Sequence, residues 1–188
     1  MPLEFEKKNF LTVGRDTLHN GQARVTTHAT TPVSIGAFCA IGFRFAIMPI
    51  NHDVRFASVQ NSFYRKYLDT AHPGSVGAPS RQRSKGGVTI GNDVWIADNV
   101  TVLSGVTIGD GCCIGAGSIV TKSLPPYTIA AGSPCRPLRR RYSDEVVELL
   151  LELAWWNWGD ERIRRNKAFF IADLSEMSTE EVRALIVE

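Results

Sequence analysis

Branched apolar residues recur at every sixth position over the middle of the chain. Counted from Ile90, the series runs on without a miss through Ile96, Val102, Ile108, Ile114 and Val120. A second series lies two residues before each of these anchors: Val88, Val94, Val100, Val106, Cys112 and Ser118. This period matches neither the 3.6-residue repeat of a helix nor the two-residue alternation of a sandwich strand. The pattern therefore predicts a repeat architecture.

A solenoid with three flat faces accounts for a period of six. Each face would use one hexapeptide, with the branched anchor pointing into the prism and a small residue after it allowing the tight corner. The residue after the anchor is indeed small at Gly91, Ala97, Gly109 and Gly115. The same six-residue pattern appears earlier in the chain, with anchors at Ile35, Ile41 and Ile47. Stacked coils would pair like parallel strands, about 4.8 Å apart. We predict an all-β solenoid, a parallel β-helix.

The repeat is interrupted once. Residues 51–86 break the pattern, and the step from Ile47 to Ile90 is not a multiple of six, so an excursion should leave the coil here. Long excursions in compact domains are usually functional. The mixture of aromatic and basic side chains favours a lid or a pocket wall over a disordered basic loop. These side chains are Phe56, Phe63, Tyr64, Arg65, Lys66, Tyr67, His72, Arg81, Arg83 and Lys85.

Both ends of the chain differ from the regular coils. Residues 1–32 are weakly patterned and should form an imperfect first coil or a cap. In the tail, Ser143 is a candidate N-cap, a second helix should follow Gly159, and Ser178 with Glu181 forms a capping-box pattern. We therefore divide the chain into a β-helix domain, 1–142, which includes the excursion 51–86, and a C-terminal helical extension, 143–188.

Composition excludes several classes of protein. The net charge is only +2 among 188 residues, which argues against a dedicated nucleic-acid binder. The sequence has no run of 18 apolar residues and no apolar segment near its N-terminus, so we expect no membrane contact and a cytoplasmic location. The spacing of Cys39, Cys112, Cys113 and Cys135 fits neither a disulfide framework nor a metal pair, and reduced thiols are expected.

Three segments together resemble a known family. They are "NHDVRF" at 51–56, residues 91–142 with "IGAGSIVTKSLPPYTIAAGSPCRPLRRRY", and "DEVVELLLELAWWNW" at 144–158. The chain resembles the hexapeptide-repeat acyltransferases from residue 33 onward. Within them it is similar to the xenobiotic acetyltransferases, which include chloramphenicol and streptogramin acetyltransferases. The segment after His52 departs from the corresponding loop of the antibiotic enzymes, which leaves the acceptor open between a sugar and an antibiotic-like molecule.

The resemblance implies several properties that the pattern alone does not supply. It implies a left-handed coil, although parallel crossovers are right-handed in about 98% of cases. It also implies a homotrimer and direct transfer of acetyl from acetyl-CoA to a hydroxyl or amine of a small acceptor, without a metal. Of the four histidines, His52 at the coil–excursion junction matches the family's general base. A neutral imidazole suits that role near pH 7.

The resemblance also implies a donor slot. Ala116 matches a small residue that lines the pantetheine channel, Thr121 and Lys122 match a pair that meets the cofactor, and Arg136 and Arg139 match basic residues that face its phosphates. Arg140 and Arg141 are possible assistants to these two. Three further residues are candidates for contact with the acceptor: Trp95, Tyr64 and His72.

Two alternative functions share the predicted fold. A γ-type carbonic anhydrase needs three zinc histidines between coils, and residues 73–188 contain no histidine. A non-enzymatic scaffold would need neither the excursion nor the basic C-terminal segment. Turnover of acetyl-CoA with a panel of acceptors distinguishes these alternatives from an acetyltransferase.

Overall fold

Short parallel strands wind into a three-sided prism in the computed structural model, which describes residues 3–77 and 83–187. Face I carries β1 (Leu11–Val13), β4 (Val33–Ile35), β7 (Val88–Ile90) and β10 (Thr107–Ile108). Face II carries β2 (Leu18–His19), β5 (Ala40–Ile41), β8 (Trp95–Ile96), β11 (Cys113–Ile114), β13 (Thr128–Gly132) and β14 (Cys135–Arg140). Face III carries β3 (Ala23–Val25), β6 (Phe45–Met48), β9 (Thr101–Leu103) and β12 (Ile119–Val120). Each coil visits faces I, II and III in turn, which confirms the predicted solenoid.

The hexapeptide anchors form continuous columns inside the prism. On face II, Ile41 pairs with Ile96 and Ile96 with Ile114, and the last two are 0% exposed. The second series also points inward, since Val94 is 1% and Cys112 0% exposed. Stacking of identical positions buries both series, so the hydrophobic core is a column that runs the length of the prism.

The small residues after the anchors serve the stacking of coils. A Cβ on Gly36 would lie 2.5 Å from the Gly91 carbonyl oxygen, and one on Gly91 would lie 2.6 Å from the Asp110 nitrogen. The left-handed backbone conformations fall two residues later, with φ of 58° at Phe38 and 52° at Asp93. The expectation that small residues are needed for the corner itself is corrected, because they are needed where adjacent backbones approach.

The excursion leaves the prism after β6 and returns at β7, at the corner between faces III and I. It contains helix α1 (Asn61–Leu68) and a 3₁₀ turn, Pro73–Ser75. Tyr64 and His72 are buried in it with ring centroids 4.7 Å apart, and Phe56 lies 5.2 Å from His72. The excursion therefore has a small aromatic core of its own. One of its predicted basic residues, Arg81, lies outside the described residues.

The first coil and the tail complete the chain. Residues 11–25 contribute a strand to each face, so the weakly patterned N-terminal part does form a coil. The tail contains α2 (Asp144–Leu153), α3 (Asp160–Arg165), α4 (Lys167–Ile171) and α5 (Thr179–Ala184). Ser143 Oγ accepts from the Val146 N–H at 3.3 Å, and the Ser178–Glu181 capping box forms, as predicted. Neither α1 nor α4 was predicted.

The tail lies along the corner between faces I and II. Its own hydrophobic cluster, which includes Val146, Leu149 and Leu150, takes in Tyr127 from the prism. The Phe38 and Trp155 ring centroids are 5.0 Å apart. The prism and the tail thus have separate hydrophobic clusters, and the division of the chain near residue 142 stays a proposal. In the part of the chain that the structure describes, no helix is long and apolar enough to cross a membrane.

The cysteines are free thiols, as expected. Burial raises the pKa of the Cys39 thiol and that of the Cys112 thiol to about 11 each. Both side chains therefore stay protonated near neutral pH, and they act as small core residues.

Candidate active site

His52 lies on the exposed side of the excursion, close to where the chain leaves face III. Its Nδ1 is 2.6 Å from the carbonyl oxygen of Val59. Because a carbonyl only accepts hydrogen bonds, Nδ1 must carry the proton of the neutral ring, and Nε2 then has the free lone pair. The exposed imidazole is thus held in the tautomer that a general base needs.

Asp53 does not orient the His52 ring. Its carboxylate is 1% exposed and accepts two hydrogen bonds from the Arg55 guanidinium, at 2.9 Å from Nε and 2.7 Å from Nη2. Successive side chains of an extended segment point to opposite sides, which separates the two residues. The backbone carbonyl of Val59 takes the orienting role instead.

Ala116 and Trp95 line one groove at the corner between faces II and III. The groove has a volume of about 390 Å³, and Ala40, Gly42 and Ala97 also line it. Trp95 projects outward from face II between Ala40 and Cys113 on the neighbouring strands and is 52% exposed. The floor consists largely of small residues, so an extended chain of narrow cross-section fits against the prism here.

A buried serine ties this groove to the hairpin that carries two of the candidate arginines. Ser118 Oγ donates to the Gly115 carbonyl at 2.6 Å and accepts from the Gly132 N–H at 3.1 Å. Across the hairpin, Arg136 pairs with Ala131 and Arg139 with Ile129. Both arginines are exposed, and neither forms an ion pair with any residue in 3–77 or 83–187. Each guanidinium donates from Nη1 to one local backbone carbonyl, Arg136 to that of Cys135 and Arg139 to that of Arg140, and the remaining N–H groups can face an anion.

The other two arginines of this segment, Arg140 and Arg141, have structural roles. Arg140 donates to the Pro126 carbonyl at 2.5 Å and lies 3.4 Å from the Asp144 carboxylate. Arg141 donates to the Gly111 carbonyl at 2.8 Å and to Asp93 at 3.2 Å. Burial raises the pKa of the Asp93 carboxyl, and the positive charge of Arg141 opposes this shift. These two arginines attach the helical tail to the prism.

The candidate residues fall into two sets within one chain. Thr121 and Lys122 follow β12 at the corner between faces III and I, the corner from which the excursion with His52 also departs. Ala116, Arg136 and the groove lie on face II and at its corner with face III. In one prism, His52 therefore lies at a different corner from the groove that contains Ala116.

Tyr64 and His72 do not face an open surface beside His52. His72 Nε2 lies 3.1 Å from the Ser58 carbonyl oxygen, and its Nδ1 accepts from the Gly74 N–H at 3.0 Å. The Tyr64 hydroxyl donates to the same Ser58 carbonyl at 3.3 Å. Hydrogen bonds within the excursion thus use their polar atoms, and contact of these two residues with the acceptor stays a prediction.

Sequence reasoning missed the contribution of Ser58 and Val59. Both act through backbone carbonyls, which every residue type provides, so no sequence signal identifies them. The helix α1 did leave a signal, since Phe63 and Tyr67 are four residues apart and their ring centroids are 5.2 Å apart.

The described residues contain no group of three histidine, cysteine, aspartate or glutamate side chains that could hold a metal ion.

Comparison with known proteins agrees with this geometry. The family model for bacterial transferase hexapeptide (six repeats) matches residues 87–122. The chain is 42% identical to a probable macrolide acetyltransferase of Lysinibacillus sphaericus, over 70% of this chain and 73% of that protein. It is 37% identical to a chloramphenicol acetyltransferase of Klebsiella aerogenes, over 69% of this chain and 61% of that protein. It thus spans about three fifths of the length of such chloramphenicol acetyltransferases.

Solved structures show the same architecture. A hexapeptide-repeat acetyltransferase of Vibrio cholerae, complexed with acetyl coenzyme A, matches with a TM-score of 0.53 and 26% identity over 70% of this chain and 61% of that one. A galactoside acetyltransferase in complex with coenzyme A matches with a TM-score of 0.52 and 33% identity, over 70% of this chain and 56% of that one.

Fold, groove and relatives together define a left-handed parallel β-helix of the acyltransferase type. The chain belongs to the family of hexapeptide-repeat acetyltransferases. This membership confirms both the family resemblance and the left-handed coil that it implied.

Proposed function

We propose that this chain transfers an acetyl group from acetyl-CoA directly to a hydroxyl or amine of a small sugar or antibiotic-like acceptor, with His52 as general base. The observation that carries the proposal is the exposed His52 imidazole, whose Nδ1–H is held by the Val59 carbonyl. Relatives named for chloramphenicol, macrolides, virginiamycin and galactosides support the acceptor class.

The reaction needs no covalent enzyme intermediate. His52 Nε2 takes the proton of the acceptor hydroxyl while the oxygen attacks the thioester carbonyl carbon, forming a tetrahedral intermediate. The carbon–sulfur bond then breaks, and the imidazolium returns its proton to the departing sulfur. The Val59 carbonyl stabilises the transient imidazolium, because its oxygen accepts from Nδ1.

The donor slot is the groove on face II together with the hairpin arginines. Ala116 and Trp95 would flank the pantetheine arm, and Arg136 and Arg139 would bind the phosphates of coenzyme A. Trp95 thereby moves from the acceptor side to the donor side of the proposal, because it shares its groove with Ala116. Thr121 and Lys122 remain candidates for contact with the donor.

We propose that the site is completed between subunits of a homotrimer. His52 and Lys122 lie at the corner of faces III and I, away from the groove on face II. A neighbouring prism that packs this corner against face II brings the base to the donor. One chain alone does not provide that arrangement.

The proposed activity is tested with acetyl-CoA and a panel of chloramphenicol, virginiamycin, a macrolide and a galactoside. We expect thiol release that depends on one of these acceptors, and an acetylated product in the mass spectrum. Absence of acceptor-dependent thiol release, together with no detectable binding of acetyl-CoA, would favour the scaffold alternative.

Substitution of the donor-slot cations should weaken the binding of acetyl-CoA. Lys122→Ala and Arg139→Ala should each raise the KM for acetyl-CoA, because each loses about 1–3 kcal/mol of contact with a phosphate. The KM for the acceptor should change little. Arg164→Ala is the matched control, since Arg164 is an exposed arginine on the tail. Wild-type binding of acetyl-CoA by both slot variants would show that the slot is misplaced.

Light scattering tests the assembly. We expect a mass of three chains at concentrations where the protein is active, because the two halves of the site lie at different corners. A stable monomer with full turnover contradicts the shared site.

A further inference from the structure

Hydrogen bonds in the excursion hold the residue that directly precedes Val59, whose carbonyl orients His52. Ser58 directly precedes Val59, and its own carbonyl is 3.1 Å from His72 Nε2 and 3.3 Å from the Tyr64 hydroxyl. The Ser58 N–H is 3.4 Å from the same hydroxyl. Both groups thus hold the peptide unit adjacent to the Val59 carbonyl.

The two groups that hold Ser58 are themselves immobilised. His72 is 2% and Tyr64 7% exposed. His72 Nδ1 accepts from the Gly74 N–H, so Nε2 carries the proton of the neutral ring and donates to Ser58. The aromatic rings of Phe56 and Tyr64 contact the imidazole edge-on. His72 is therefore a fixed donor.

The segment that His72 and Tyr64 hold is otherwise open to solvent. Val59 is 49% exposed, and Ala57 and Gln60 on either side of the Ser58–Val59 pair are also exposed. A segment with few buried contacts moves easily unless hydrogen bonds hold it. A catalytic group misplaced by about 1 Å can lose on the order of 10²-fold in rate.

We propose that His72, with Tyr64, is a positioning residue for His52. Its Nε2–H holds the Ser58–Val59 peptide, and the Val59 carbonyl in turn holds the His52 ring in its tautomer and direction. This role rests on the proposed function of His52 as the base. It gives a role to a second histidine that lies buried in the excursion.

Two substitutions separate the two hydrogen bonds of His72. The amide of His72→Gln can reach the Ser58 carbonyl as Nε2 does, whereas the amide oxygen of His72→Asn can accept from Gly74 as Nδ1 does. With the panel acceptor that is turned over fastest, kcat should stay within about threefold of wild type for Gln and fall about tenfold for Asn. The KM for acetyl-CoA should be unchanged in both. The opposite order would show that His72 acts only by capping the turn.

Combination with His52→Ala decides whether the effect passes through the base. In the His52→Ala background, His72→Asn should cause no further loss of kcat, because there is no imidazole left to position. A repeated tenfold loss there overturns the positioning role while leaving His52 as the base. The positioning role is also overturned, with His52 kept as the base, if His72→Asn alone has the kcat of wild type while His52→Ala alone has a much lower kcat. A fully active His52→Ala removes the base itself and the positioning role with it.

Discussion

Replacement of His52 by alanine should lower kcat by about 10²- to 10⁴-fold, the usual contribution of a general base. Without Nε2, nothing takes the proton from the acceptor hydroxyl as the new bond forms. The coil should remain folded, because its core consists of anchors such as Ile96 and Ile114, which are 0% exposed. Binding of acetyl-CoA should persist too, since the donor slot consists of other residues.

The measurement is turnover with one acceptor, alongside circular dichroism and acetyl-CoA binding. His28→Ala is the matched control, because His28 is exposed and its side chain bonds only to Thr30 among the described residues. A folded His52→Ala protein with wild-type kcat removes His52 from the mechanism.

Replacement of Ile108 by alanine should lower the free energy of unfolding by about 2–5 kcal/mol, the usual cost of a cavity in a closely packed core. Ile108 is 0% exposed and stacks on Ile90 in the column of face I. Every coil contacts only its neighbours, so a cavity in one coil loosens the stack on both sides. Urea unfolding at a fixed protein concentration measures the change.

Thr107→Ala is the control for Ile108→Ala. Thr107 precedes Ile108 in the same strand and is exposed on the outer side of face I. Its replacement should change stability by less than about 0.5 kcal/mol, as for most surface substitutions. Equal destabilisation by the two substitutions would contradict the inward and outward assignment of the hexapeptide positions.

The two parts of the proposed site differ in how they are held. The groove at Ala116 belongs to the stacked coils, where Ser118 bonds to the backbone on both sides. His52 belongs to an excursion whose order depends on a small core around Tyr64 and His72. Substitutions in the coils should therefore act mainly on stability and donor binding, and substitutions in the excursion mainly on kcat.

The sequence by itself determined the architecture of this protein. A hexapeptide phase is a local property repeated many times, and register errors would expose whole columns of isoleucine and valine, so Ile35, Ile90 and Ile108 necessarily stack. Helix starts in the tail are equally local, because Ser143 and Ser178 cap the N–H groups three residues ahead. His52 became the candidate base from its place at the junction and from the family resemblance, and that role stays a prediction.

The tertiary structure alone decided how the candidate residues are used. Neighbouring arginines have different environments in it: Arg141 bonds to Asp93 and Gly111, whereas Arg136 and Arg139 are exposed. It placed His72 inside the excursion, and it gave the orientation of His52 to the carbonyl of Val59. These outcomes depend on contacts between distant segments and on backbone atoms common to all residues. A pattern of side-chain types along the chain carries neither kind of information.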